Sequence, residues 1–152
     1  HFEIELVVAL KSGGVNINPA DAMGHVFGYA VGIDMTRRDL QDAAKKLSRP
    51  WEVAKAFDYS APCTAIVAAQ HVETIAKGAI WLEVNGVRKQ TGDLSQMIWD
   101  VPNQIEFLST LFELKGGDLI FTGTPAGVGA IRKGDKLKGH VEGVGDLEVA
   151  VV

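Results

Sequence analysis

The chain has 152 residues, 47% of them hydrophobic and 22% charged, which is enough material for one globular domain with a real core. A net charge of −4, with no basic run and no zinc-type spacing of Cys and His, argues against nucleic acid as a partner. No apolar stretch approaches a membrane span, and a single cysteine, Cys63, excludes an internal disulfide framework and fits a reducing cytoplasm.

The first predicted strand runs from Glu3 to Leu10 within His-Phe-Glu-Ile-Glu-Leu. Side chains two apart share a face, so Glu3 and Glu5 stand together about 7 Å apart, on a face that continues as Val7 and Ala9. Two carboxylates at the end of an apolar face need a cation. Asn18-Pro19 then signals a short helix, with Asn18 as cap and Pro19 at its first position. A second strand, Tyr29 to Ile33, ends in Asp34; Ala30, Gly32 and Asp34 form a face of small residues closed by a carboxylate. Thr36-Arg37-Arg38-Asp39 resembles a capping box, opening a helix with apolar positions Leu40, Ala43, Ala44 and Leu47 and ending at Ser48-Arg49-Pro50. Further on come strands at Ala79–Val84 and Val87–Gln90 joined by the hairpin signal Asn85-Gly86. A helix is expected from about Pro102 to Leu111, with Ile105, Leu108, Leu111 and Phe112 on one side. The last strands are predicted at Asp118–Phe121, Lys136–Val141 and Leu147–Val152. The predicted class is therefore mostly β with short helices, an α+β arrangement in a single domain covering 1–152.

Several side chains in this frame could do chemistry. Glu3, Glu5 and Asp34 would make an all-oxygen site suited to Mg²⁺, with Mn²⁺ or Ca²⁺ as alternatives; the other reading is that they pair with Arg37, Arg38 or a lysine. Arg38 and Gln41 lie three apart on one helix face and offer a guanidinium fork and an amide to a carboxylate or keto oxygen. Lys55 sits among small and aromatic neighbours, either as an anion ligand or as a snorkelling surface lysine. Thr122-Gly123-Thr124-Pro125-Ala126-Gly127-Val128-Gly129 ends a strand in hydroxyls and backbone N–H groups, and it matches neither a phosphate loop nor a dinucleotide fingerprint. His25, His71, His140 and Cys63 have no partner at a useful spacing, and no Gly-x-Ser-x-Gly motif exists.

In order and spacing, His1–Leu6, Gly28–Gln41, Pro50-Trp51 with Ala54–Asp58, and Thr122–Gly129 together resemble the fumarylacetoacetate hydrolase family, and most closely its small bacterial acylpyruvate and fumarylpyruvate hydrolases. The resemblance implies a mixed β-roll or β-sandwich of the family's C-terminal domain type. It also implies a homodimer and one divalent metal per site, held by Glu3, Glu5 and Asp34. Arg38, Gln41, Lys55 and Thr124 match positions that line the substrate pocket. The implied reaction is Mg²⁺-dependent cleavage of the C–C bond of a 2,4-diketo acid such as fumarylpyruvate from aromatic breakdown, through a pyruvate enolate stabilised by the metal and the catalytic Lys55. Oxaloacetate decarboxylation or isomerisation passes through related chemistry and is the alternative activity; a non-catalytic metal-binding domain is the alternative outside enzymes. The expected partners are a small keto acid and a second copy of the chain, with no nucleic acid and no membrane, in the cytoplasm. Family members also carry a lid segment ahead of the acidic strand, whose His and Glu activate water. That segment is not in this sequence, which opens at His1 without a methionine, and an upstream segment is expected.

Overall fold

The computed structural model describes residues 1–152 as two four-stranded antiparallel sheets with short helices around them. In chain order the strands are β1 (Ile4–Leu10), β2 (Val26–Ile33), β3 (Val67–Ala68), β4 (Ala79–Val84), β5 (Val87–Asp93), β6 (Leu119–Phe121), β7 (Lys136–Val141) and β8 (Gly145–Ala150). The helices are α1 (Pro19–Ala22), α2 (Arg38–Lys46), α3 (Glu52–Lys55) and α4 (Val101–Leu111). One sheet has the order β3-β2-β1-β6 and the other β5-β4-β7-β8. No helix is long and apolar enough to cross a membrane.

Strand alternation explains the core. Ile4, Leu6, Val8, Val31 and Ile33 of the first sheet share one apolar cluster with Ile80, Leu82, Leu137 and Val141 of the second. Burying each such side chain is worth roughly 1.5–3 kcal/mol, so these facing strands dominate the stability. Gly139 lets the sheets approach: a Cβ there would lie 2.4 Å from Ile4 Cδ1.

The short helices follow local signals where nothing competes with them. Asn18 accepts from the Ala20 N–H and Pro19 opens α1, as the sequence predicts. Asp100 caps α4 through the Asn103 N–H. The predicted box at Thr36 does not form. Helix α2 starts at Arg38 with no side-chain cap, because the buried Thr36 hydroxyl donates instead to Glu3 Oε1 at 3.2 Å. The inward stripe of α2 also differs: Gln41 and Ala44 are buried, whereas Leu40 and Leu47 are exposed. On α4 only Ile105 of the predicted apolar side is fully buried, and Leu111 and Phe112 face solvent.

Strand ends shift by a few residues. β5 continues past Gln90 to Asp93, and β8 starts at Gly145 and stops at Ala150, since ladder pairing with β4 and β7 extends across the Gly-rich turns. Trp81 is half-buried, covered by the Arg88 guanidinium 3.7 Å from its ring centroid and stacked on His140 at 5.0 Å.

Candidate metal centre

The antiparallel register of β1 and β2 builds the site. Ile4 lies opposite Ile33 and Glu5 opposite Gly32, so the residues flanking those pairs meet at one end of the sheet. The Asp34 N–H donates to the Glu3 carbonyl at 2.8 Å and pins the two acidic residues side by side. One oxygen from each of Glu3, Glu5 and Asp34 lies within 4.8 Å of the others. The face of small residues leading to Asp34 has a specific tenant at Gly32: a Cβ there would meet Val7 Cγ2 at 2.5 Å and the Phe121 ring at 2.8 Å.

Two cations converge on the same carboxylates. Lys55 Nζ donates to Asp34 Oδ2 at 2.6 Å and to Glu3 Oε2 at 2.8 Å. Arg38 Nη2 donates to the other Glu3 oxygen at 2.6 Å, and its Nη1 donates to Gln41 Oε1 at 2.7 Å. Lys55 reaches the cluster because α3 is tied to the start of α2 through the Arg37 N–H, which donates to the Ala54 carbonyl at 3.0 Å. The ion pairing that is one of the sequence alternatives is present, made by Arg38 and Lys55, on carboxylates that also lie close enough together to hold a metal.

The three carboxylates differ in electrostatics. Burial pushes Glu3 upward, but hydrogen bonds from Lys55 and Arg38 outweigh it and hold the carboxyl below its usual range. Burial likewise disfavours the charge on Lys55, yet the bonds to Asp34 and Glu3 keep its ammonium above the ordinary lysine value. Glu5 is the exception. It is 4% exposed, no cation bonds to it, and its one hydrogen-bond partner is the Gly123 N–H at 2.8 Å from Oε2. Burial, with the like charges of Asp34 and Glu3, pushes it up to about 7 despite that bond.

The Thr122–Gly129 stretch packs against this cluster. Thr122 Oγ1 donates to the Leu6 carbonyl at 2.9 Å, fixing the loop to β1. Gln90, fully buried, accepts from the Ile4 N–H at 3.0 Å and donates to Thr124 Oγ1 and the Pro125 carbonyl, both at 2.8 Å. The loop backbone needs glycine at Gly127, which has φ +104° and where a Cβ would sit 2.3 Å from the Lys89 carbonyl oxygen. Thr122, Gly123 and Thr124 also line a cavity of about 690 Å³ bounded by Ile80, Met97 and Trp99.

The structure therefore gathers Glu3, Glu5, Asp34, Arg38, Gln41 and Lys55 into one network, with Thr124 a layer away through Gly123 and Gln90. Thr36, Gln90 and the Gly123 N–H complete the site; the Gly123 N–H belongs to the strand end that the sequence marks for its backbone donors, and Gln90 is not singled out by sequence. The signal for Thr36 was present but pointed to a helix cap. Gln90 follows three exposed strand residues and carries no local mark of its burial.

This geometry has relatives. The Fumarylacetoacetate (FAA) hydrolase C-terminal family model matches residues 1–152. The chain belongs to the fumarylacetoacetate hydrolase family. It is 45% identical over 151 residues to a fumarylpyruvate hydrolase of Ralstonia sp, covering 99% of this chain and 78% of that protein. It is 41% identical to a mitochondrial oxaloacetate tautomerase of Rattus norvegicus, covering 99% of this chain and 68% of the other. A crystal structure of fumarylpyruvate hydrolase from Pseudomonas aeruginosa in complex with Mn²⁺ and pyruvate superposes with a TM-score of 0.97 at 49% identity, over 99% of this chain and 65% of that one. The fold is thus that of the family's C-terminal domain, as the resemblance in the sequence implies, and the Mn²⁺-bound relative supports divalent-metal binding by this chain.

Proposed function

We propose that residues 1–152 form the catalytic domain of a metal-dependent acylpyruvate hydrolase acting on fumarylpyruvate, a reading supported by the fumarylpyruvate hydrolases among its relatives. The observation that carries this reading is the charge balance at the carboxylate cluster. Three acidic groups face two cations, and the most buried acid, Glu5, has no cation of its own. One divalent ion would neutralise that excess and leave a net positive site for a keto-acid anion. The all-oxygen donor set suits Mg²⁺ or Mn²⁺. Held by Glu3, Glu5 and Asp34, such an ion supplies a Lewis acid for the carboxylate and 2-keto oxygens of the substrate.

The chain's own residues do the rest of the positioning. Arg38 keeps donors beyond the two spent on Glu3 and Gln41, and with Gln41 and Thr124 it orients the keto acid. Water adds to the far carbonyl, the C–C bond breaks, and the acyl group leaves as a carboxylic acid. The electron pair remains as a pyruvate enolate, which a proton converts to pyruvate. Lys55 stabilises that enolate as an ammonium; its partners Asp34 and Glu3 hold it protonated, which suits an electrostatic role and opposes Schiff-base formation. The family resemblance assigns water activation to a His and a Glu upstream of the acidic strand.

A second reading, oxaloacetate tautomerisation or decarboxylation, is supported by the 41% identity to an oxaloacetate tautomerase. Both use the same enolate-stabilising groups and differ in whether water is activated. The domain would work as a homodimer in the cytoplasm, and the exposure of Ile98, Trp99, Leu111 and Phe112 supports an apolar self-contact. The test is pyruvate release from acetylpyruvate, fumarylpyruvate and oxaloacetate, together with enol-to-keto conversion of oxaloacetate followed by absorbance, with Mg²⁺ or Mn²⁺ and with EDTA. Metal-dependent turnover of the diketo acids supports hydrolysis. Turnover of oxaloacetate alone selects the second reading, and tight metal binding with no turnover identifies a non-catalytic domain.

A further inference from the structure

A second cavity, of about 610 Å³, opens between the 72–76 segment and the start of α4, and none of its lining residues belongs to the carboxylate cluster. Its size is that of a small-molecule site. Met23, Val72, Ile75, Met97 and Val101 supply apolar walls, and Tyr29 of β2 lies among them. Tyr29 is 4% exposed, and its hydroxyl has no hydrogen-bond partner within the protein. The one polar side-chain atom that is both sealed from solvent and unpartnered is His1 Nδ1. The unpartnered Tyr29 hydroxyl is therefore not sealed; it opens onto the cavity that the residue lines. A hydroxyl with no protein partner at a cavity wall keeps its donor and acceptor free for a ligand atom.

The charges around this cavity are one-sided. Glu73 and Asp100 line it, and no lysine, arginine or histidine does. Glu73 is exposed and forms no ion pair, while Asp100 uses one oxygen to cap α4 through the backbone and side chain of Asn103. The lining differs from that of the carboxylate site, where Arg38 and Lys55 pair with the acidic groups. The two regions are also apart: Tyr29 precedes Asp34 by five residues of strand, about 16 Å at 3.3 Å per residue.

We propose that this cavity is a second ligand site, for a small apolar molecule that is neutral or cationic and carries a hydroxyl or other hydrogen-bonding group to meet Tyr29. The inference is independent of the reaction proposed for the carboxylate site. Tyramine and 4-hydroxyphenylacetate share an aromatic body and differ in the sign of their charge, so they are the probes. Each is titrated into the full chain with Mg²⁺ present, followed by calorimetry and by amide chemical shifts.

Tyramine should bind saturably and at least about tenfold more tightly than 4-hydroxyphenylacetate. Its shifts should centre on Val72 and Ile75. Tyr29→Phe should weaken tyramine about fivefold, the loss of one hydrogen bond, and Glu73→Lys, at an exposed position, should reverse the preference between the two probes. Glu73→Lys carries the test if Tyr29→Phe fails to fold. Equal affinity for the two probes, shifts centred on Arg38 and Lys55, or an unchanged preference in Glu73→Lys would overturn the assignment.

Discussion

Removing divalent cations should make this protein less stable as pH rises through neutrality. The cause is Glu5, whose carboxyl is raised from an ordinary 4.5 to about 7 by burial and by the charges of Asp34 and Glu3. The folded state then holds the Glu5 proton more tightly than the unfolded chain does. The stability this confers is complete below about 4.5 and is lost as pH rises through about 7. At 1.36 kcal/mol per unit, a rise of that size corresponds to about 3 kcal/mol. For a domain of this length that is a fall in Tm of about 10 °C between pH 5 and pH 8. Glu3 works in the opposite sense, since its depressed carboxyl costs stability only as pH falls below the ordinary range, so it does not mask the effect. The assay is thermal unfolding in EDTA across pH 5 to 8, repeated with saturating Mn²⁺ and with Glu5→Gln. Mn²⁺ should abolish the slope by stabilising the ionised carboxylate. Glu5→Gln keeps an acceptor for the Gly123 N–H and should flatten the slope without metal. An EDTA profile that is already flat, or a Glu5→Gln profile as steep as the wild type, would refute the reasoning.

Other consequences follow from the same network. Lys55→Met, assayed with Mg²⁺ bound, should lose about 3–4 kcal/mol of transition-state stabilisation, and borohydride with substrate should trap no covalent adduct on the wild type; near-normal kcat or a trapped adduct would exclude the electrostatic role. Gln90→Leu strands the Ile4 N–H and releases Thr124, so chemical denaturation should show a loss of about 2–3 kcal/mol and pyruvate titration a weaker Kd. Sedimentation at micromolar concentration should give a dimer, and Ile98→Glu should shift it toward monomer while leaving the fold intact; a strict wild-type monomer would contradict the apolar self-contact.

Much of the candidate site was legible in the sequence because strand periodicity is local. Same-face placement of Glu3 and Glu5, and the small face ending at Asp34, follow from alternation alone, and the β1–β2 register joins them. The Asn85-Gly86 hairpin and the cap at Asn18 depend on near neighbours and are likewise set locally. What could not be read depends on long-range partners. Thr36 carries a helix-capping signal, yet a carboxylate 33 residues away takes its hydroxyl. Gln90 is buried because it must bridge Ile4 and Thr124, at separations of 86 and 34 residues. Phe121 fills the space over Gly32 that the sequence left open, a contact between strands far apart in the chain. The inward side of α2 carries Gln41 and Ala44 rather than its leucines, and Arg38 reaches Glu3, 35 residues away in the chain.

The central claim is that Glu3, Glu5 and Asp34 hold one divalent cation beside Lys55. A crystal grown with Mn²⁺ and pyruvate, measured at a wavelength where manganese scatters anomalously, tests it directly. The account predicts a single anomalous peak within about 2.0–2.6 Å of one oxygen from each of the three carboxylates, with Lys55 Nζ displaced from its bridge between Glu3 and Asp34 toward the pyruvate. No peak at the cluster, or a peak elsewhere with Lys55 still spanning Glu3 and Asp34, would contradict it.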